Sequence, residues 1–224
     1  PFPNESEKTL REILDAGRDV LYIGFSSGLS GTYGAMSALL DSLAPEYPER
    51  TMLHVDTLAA SMGEGLLVYK AACLAADGAT IEEVCQWVED NKLNLAHWFT
   101  VDDLHHLKRG GRVSAATAVV GTALGIKPVL HVDDEGRLIN MDKARGRKAS
   151  IKAVFEKLRA AADNNLKGQT VFISHGDCYD DAKYLESLLL EAGAADVIIS
   201  YVGPVIGAHS GPGTMAVFAL GDVR

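Results

Sequence analysis

Residues 19–33 read Asp-Val-Leu-Tyr-Ile-Gly-Phe-Ser-Ser-Gly-Leu-Ser-Gly-Thr-Tyr. The apolar run at 19–25 is too short for a helix and ends in a Ser/Gly cluster, so it reads as a buried strand, with a helix starting near Thr32. Working upstream, Leu10, Ile13 and Leu14 have helical spacing within residues 5–16, and Gly17 is a stop signal. Downstream, residues 51–56 (TMLHVD) form a second strand and residues 61–76 a helix. Thr80 and Glu83 stand at capping-box spacing for the next helix. Alternating strands and helices predict a mostly parallel sheet with flanking helices. The second half reads differently. Residues 97–101 (HWFTV) look like a strand followed by a turn at Gly110-Gly111-Arg112, while 127–132 and 138–143 flank Asp133-Asp134-Glu135-Gly136 as the arms of a hairpin. A helix at 150–162 and strands at 170–174, 197–201 and 214–220 complete a mixed second sheet. The expected architecture is therefore α/β with two domains, residues 1–94 and 95–224.

Composition narrows the function. At 224 residues the chain is long enough to bury a core, and its 47% hydrophobic content is that of a globular protein. A formal net charge of -9 argues against nucleic acid and anionic membrane surfaces as partners. Three cysteines, Cys73, Cys85 and Cys178, form no CxxC pair and fit a reducing compartment, so a cytoplasmic location is expected. No apolar run reaches the length of a membrane span, and an integral membrane protein is not expected. No signal peptide is visible, but the chain opens Pro1-Phe2-Pro3 without a Met, as a fragment would.

Four segments carry candidate chemistry. The loop Phe25 to Tyr33 places three serines and a threonine where a helix begins. Unpaired N–H groups and a partial positive charge there suit a carboxylate or phosphate, with Ser27, Ser30, Gly31 and Thr32 as donors; the alternative is a well-capped helix start. The same loop contains Gly24-Phe25-Ser26-Ser27-Gly28, a G-x-S-x-G pattern between strand and helix. With Asp177 and His209 it supplies the order of a serine hydrolase triad, which is the competing reading. Leu107 to Ser114 contains two adjacent glycines and Arg112, either a structural turn or an anion clamp. Lys143-Ala144-Arg145-Gly146-Arg147-Lys148 is the densest basic run, either a solvated strand end or a dock for phosphate or an acidic partner. Gly203 to Gly213 is so rich in Gly and Pro that a fixed loop presenting His209 is expected. His175, Asp177 and Cys178 match no defensible ligand spacing, and no metal is expected.

Taken together these segments resemble the DegV family of bacterial fatty-acid-binding proteins. The resemblance runs through Ser26 to Tyr33, Val55-Asp56-Thr57 with Ser61 to Gly65, Leu104 to Ser114, Gly125 to Pro128, Lys143 to Gly146 and Ala208 to Gly213. It implies a two-domain DegV-like fold with a fatty acid in a cleft between or beside the domains. It implies that Ser30 holds the lipid carboxylate with a second hydroxyl from an upstream Thr-Ser-x-Pro segment, that His209 lies close by, and that Arg145 works with a partner kinase. Family members carry the lipid for a bacterial fatty acid kinase, whose other subunit brings ATP and makes the acyl phosphate. The chain is accordingly expected to be no enzyme itself and to need no cofactor beyond its bound fatty acid. Two departures stand out. The Thr-Ser-x-Pro segment is absent, with Pro1 in the place of its last residue, so the first segment of the N-terminal domain is expected upstream; and Gly34-Ala35-Met36 follows Tyr33 where relatives often carry Gln. At about 0.8 kcal/mol per buried CH₂, a sixteen-carbon tail contributes roughly 10 kcal/mol gross, so the tail supplies affinity and the polar loop sets orientation.

Overall fold

The computed structural model describes residues 3–114, 125–163 and 165–224; Pro1, on which the expected upstream segment turns, lies outside them. Helix α1 (Pro3–Asp15) is followed by β1 (Val20–Gly24), α2 (Thr32–Leu43), β2 (Met52–Asp56), α3 (Met62–Ala76) and α4 (Ile81–Asn91). Strands β1 and β2 pair in parallel, Val20 opposite Met52 through Gly24 opposite Asp56. Leu10 and Leu14 of α1 pack with Leu40 and Leu43 of α2 on this pair, which is the helical stripe read from the sequence. The capping box at α4 is present in both halves: Glu83 N donates to Thr80 Oγ1 at 3.2 Å and Thr80 N to Glu83 Oε2 at 2.8 Å.

The rest comprises β3 (Leu95–Thr100), α5 (Leu104–Arg109), β4 (Ile126–Val132), β5 (Leu138–Arg145), α6 (Arg147–Ala161), β6 (Thr170–His175), α7 (Tyr179–Glu191), β7 (Asp196–Tyr201), α8 (Pro204–Ser210) and β8 (Met215–Leu220). These strands form one six-stranded sheet in the order β5-β4-β3-β8-β6-β7. It is mixed, because β6 and β7 are parallel while the other neighbours are antiparallel. The hairpin is closed by Gly136, which has φ +72° and donates its N–H to the Asp133 carbonyl at 2.9 Å.

Successive residues of a strand face opposite sides of the sheet, and this sheet buries both. One face carries Ala96, Trp98, Ile173 and Val217 under α6 and α7. The other carries Leu95, Phe99, Phe172 and Phe218, and Leu66 and Leu67 of α3 pack there. Helix α3 thus covers the second sheet although it belongs to the first half of the chain. Two readings need correction. Helix α6 starts at Arg147, three residues before the expected Ser150, so Arg147 is helical. The Gly/Pro-rich segment that reads as a fixed loop is the helix α8: Pro204 occupies its first turn and Gly211, at φ +80°, ends it.

Candidate functional site

The loop after β1 is fastened to the β4–β5 hairpin. Ser26 is fully buried; its hydroxyl donates to the Gly136 carbonyl at 2.8 Å and accepts from Gly28 N at 3.1 Å. A Cβ at Gly28 would overlap the Glu135 carbonyl, so only glycine lets the two backbones approach this closely. This arrangement overturns the nucleophile reading of Ser26. Its hydroxyl is committed on both sides and sealed from solvent, and its backbone is not among the strained positive-φ positions that a nucleophile elbow requires. Asp177 is exposed, and Ser26 does not line the cavity that His209 lines.

With Ser26 anchored, the loop presents Ser30 and Thr32 to a cavity of about 390 Å³. The cavity lies over the Phe99–Phe218 face of the six-stranded sheet, and Phe25, Leu29, Phe99, Leu107, Leu138 and Phe218 form much of its wall. The hydroxyls of Ser30 and Thr32 lie 2.9 Å apart, and Thr32 N donates to Ser30 Oγ at 3.2 Å. In such a pair one hydroxyl hydrogen is used between the two oxygens and the other remains free to donate. The pair also sits at the start of α2, whose N-cap, Gly31, supplies no side-chain cap, so the first N–H groups and the helix dipole add to the attraction for an anion.

His209 of α8 and Arg112 line the same cavity. The structure therefore brings together Ser30, Thr32, His209 and Arg112. It does not bring Ser27 or Gly31 to the cavity wall. Ser27 is exposed and its N–H donates to Asp56 Oδ1 at 3.2 Å, while Gly31 faces open space. Arg145 is exposed at the end of β5, opposite Ile126, and is not part of the cavity lining. Of its neighbours, Lys143 and Lys148 are exposed, but Arg147 turns inward to Asp181 at 2.7 Å and Asp102 at 3.5 Å. The basic run is thus divided: Arg147 is tied into ion pairs within the fold, and Arg145 faces outward.

Three lining residues were missed in the sequence. Ser61 donates to Ser174 Oγ at 2.9 Å on the cavity wall, and Ser61 holds an unusual backbone, φ 57° and ψ -136°, just before α3. His97 is 3% exposed, packs edge-on against Phe218 with ring centroids 4.7 Å apart, and its Nδ1 has no hydrogen-bond partner among the described residues. Burial pushes its pKa well below the ordinary imidazole range, so it is neutral. The signal was present: Leu95, His97 and Phe99 alternate on one face of β3, which places a histidine in an otherwise apolar inward row. Among the described residues no group of three or more metal-ligating side chains comes together, and no helix is long and apolar enough to cross a membrane.

Known proteins share the sequence pattern and the fold. The family model described as "Uncharacterised protein, DegV family" matches residues 1–222. A DegV domain-containing protein of Clostridium perfringens is 47% identical over 218 residues, 97% of this chain and 75% of the relative. Among solved structures, a DegV family protein from Thermus thermophilus, described for its fatty acid binding, superimposes with a TM-score of 0.87 at 32% identity, covering 99% of this chain and 77% of that one. DegV from Bacillus subtilis, described as a fatty acid binding protein, gives a TM-score of 0.82 at 30% identity, covering 97% and 76%.

Proposed function

The chain belongs to the DegV family, and from that premise we propose that it binds a long-chain fatty acid and presents the carboxylate to a partner kinase for acyl-phosphate formation. The observation that carries the binding step is the cavity itself: an apolar chamber with Ser30, Thr32 and His209 on its wall. A fatty acid needs that division, because a carboxylate removed from water must be hydrogen-bonded while its tail gains from apolar contact. The two hydroxyls and the α2 N-terminus meet the first requirement without a formal cation, and His209 adds a ring that can donate to the carboxylate. Solved relatives described as fatty acid binding proteins support the reading. The handover to a kinase rests on the family resemblance and on Arg145, a solvent-facing cation on a chain of net charge -9. In this reading the chain makes no bond itself, needs no cofactor, and works in the cytoplasm, in keeping with its three free cysteines.

The test is direct. Denaturing extraction of the purified full chain, followed by mass spectrometry, should release about one fatty acid per chain, since a tail burying many methylenes survives dilution. Protein that is empty and also fails to bind added palmitate or oleate would sink the proposal.

A further inference from the structure

Arg112 and Gly110 stand out because each touches one half of the carboxylate site. The Arg112 guanidinium donates through Nε to the Leu29 carbonyl at 3.0 Å, one residue before Ser30, and through Nη1 to the Gly110 carbonyl. Gly110, in turn, is the seat of His209: a Cβ built on it would overlap His209 Nδ1 and come within 3.1 Å of Cε1. The interface is closed from the other side too. A Cβ at Gly211, which follows α8, would come within 2.6 Å of the His106 ring, and Arg109 Nη2 lies 3.0 Å from His106 Nδ1. One short stretch after α5 thus grips the Ser30 loop with its arginine and the His209 helix with its glycine.

We propose that Arg112 and Gly110 are positioning residues, which hold Ser30–Thr32 and His209 at the spacing that a single carboxylate requires, and that neither is itself a ligand to it. This inference rests on the fatty-acid reading above. Ser30 and His209 lie on elements far apart in the chain, and nothing in α2 or α8 alone fixes their separation. A carboxylate gains from both only if they are held in place beforehand, because a donor that is free to drift contributes little. The planar guanidinium suits such a bridge, since it reaches two carbonyl oxygens at fixed angles, which a lysine ammonium does not. The arginine donates to two backbone carbonyls, a use of its donors that serves loop geometry. Gly110 has φ -73°, ordinary for any residue, so the clash with His209 is what alanine would bring there.

The experiment compares affinities of the full chain for hexadecanoate and hexadecanol, and for saturated acids from dodecanoate to octadecanoate. Arg112→Gln, Arg112→Lys and Gly110→Ala should each lower the preference for acid over alcohol roughly tenfold, the scale of one hydrogen bond to a charge. The gain in affinity per added methylene should not change. In a His209→Ala background, Gly110→Ala should have no further effect on that preference. If Arg112→Lys and Gly110→Ala behave as wild type while Arg112→Gln loses the preference, the cation touches the carboxylate and the proposal is overturned. Equal losses for acid and alcohol, with a smaller gain per methylene, would also overturn it by showing a general role in folding. A wild-type chain that binds neither ligand defeats the fatty-acid reading itself, and this inference with it.

Discussion

At Ser30 and Ser26 the same residue type, four positions apart, serves opposite ends. Ser30 sits on the cavity wall with one hydroxyl hydrogen to give within the Ser30–Thr32 pair, whereas Ser26 is spent on the Gly136 carbonyl. Ser30→Ala should weaken fatty acid binding by about 1–3 kcal/mol, the cost of removing a hydrogen bond to a buried charge. Ser26→Ala should leave that affinity mostly intact and lower stability by about 1–3 kcal/mol, because it leaves a buried carbonyl without its donor. Titration of bound lipid and urea unfolding measure the two effects, and stoichiometric fluorophosphonate labelling at Ser26 would reverse the assignment. Sequence showed much of this. Ser30, Thr32, Arg112 and His209 all stood in motifs, and all reach the cavity. Ser26 was ambiguous because a local pattern does not reveal what a side chain meets across the fold; its partner, Gly136, is far along the chain. His97 was passed over because its role comes from a strand's alternation and carries no motif.

Among the elements, α8 shows where local signals mislead. Gly207 lowers helix propensity in the interior, yet seven residues fold as a helix because Pro204 pre-sets the first turn, Gly203 and Gly211 cap its ends, and α5 packs against it with His106 and His209 interlocked into glycines. Tertiary contact overrides propensity there. Other elements were legible from local signals: the apolar spacing of Leu10 and Leu14 in α1, the capping box of α4 and the turn of the β4–β5 hairpin. Strand β5 is an edge strand whose end carries Arg145 outward. An exposed cation with no place in the cavity should not affect the lipid. Arg145→Ala is therefore expected to fold and bind fatty acid as wild type does, and to support acyl-phosphate formation poorly with a cognate kinase subunit and ATP. ADP release beside a lipid titration measures this. Proportional loss of both would place Arg145 in the pocket, and no change in either would leave it as a solvated strand end.

The whole molecule is tied together across the division we propose at residue 94. Helix α3 packs on the second sheet, and the guanidinium of Arg224 donates to carbonyls of Thr57, Leu58 and Lys92 on one side and Asp133 on the other, at 2.7–3.1 Å. The two halves should therefore unfold together, and their stability should have one pH profile, set by buried ionisable groups. His97, His131 and His175 all have pKa values depressed by burial. Below about pH 6.5 the unfolded chain binds protons that the folded one refuses, so stability rises with pH up to that point and these groups add nothing above it. Glu64, in the first turn of α3, acts in the opposite sense: burial raises its pKa from 4.5 to about 7. Between those values the folded chain keeps a proton that the unfolded chain has lost, so stability falls, by up to about 3 kcal/mol in total, and levels off above pH 7. The histidines therefore make stability rise with pH up to about 6.5, and the carboxyl makes it fall up to about pH 7. Glu64→Gln removes the falling contribution. It should match wild type near pH 4.5, gain up to about 3 kcal/mol at pH 8, and shift the profile to a plateau above pH 6.5. Urea unfolding across this range measures it, and a variant no more stable than wild type at pH 8 would show that Glu64 is solvated in the folded chain.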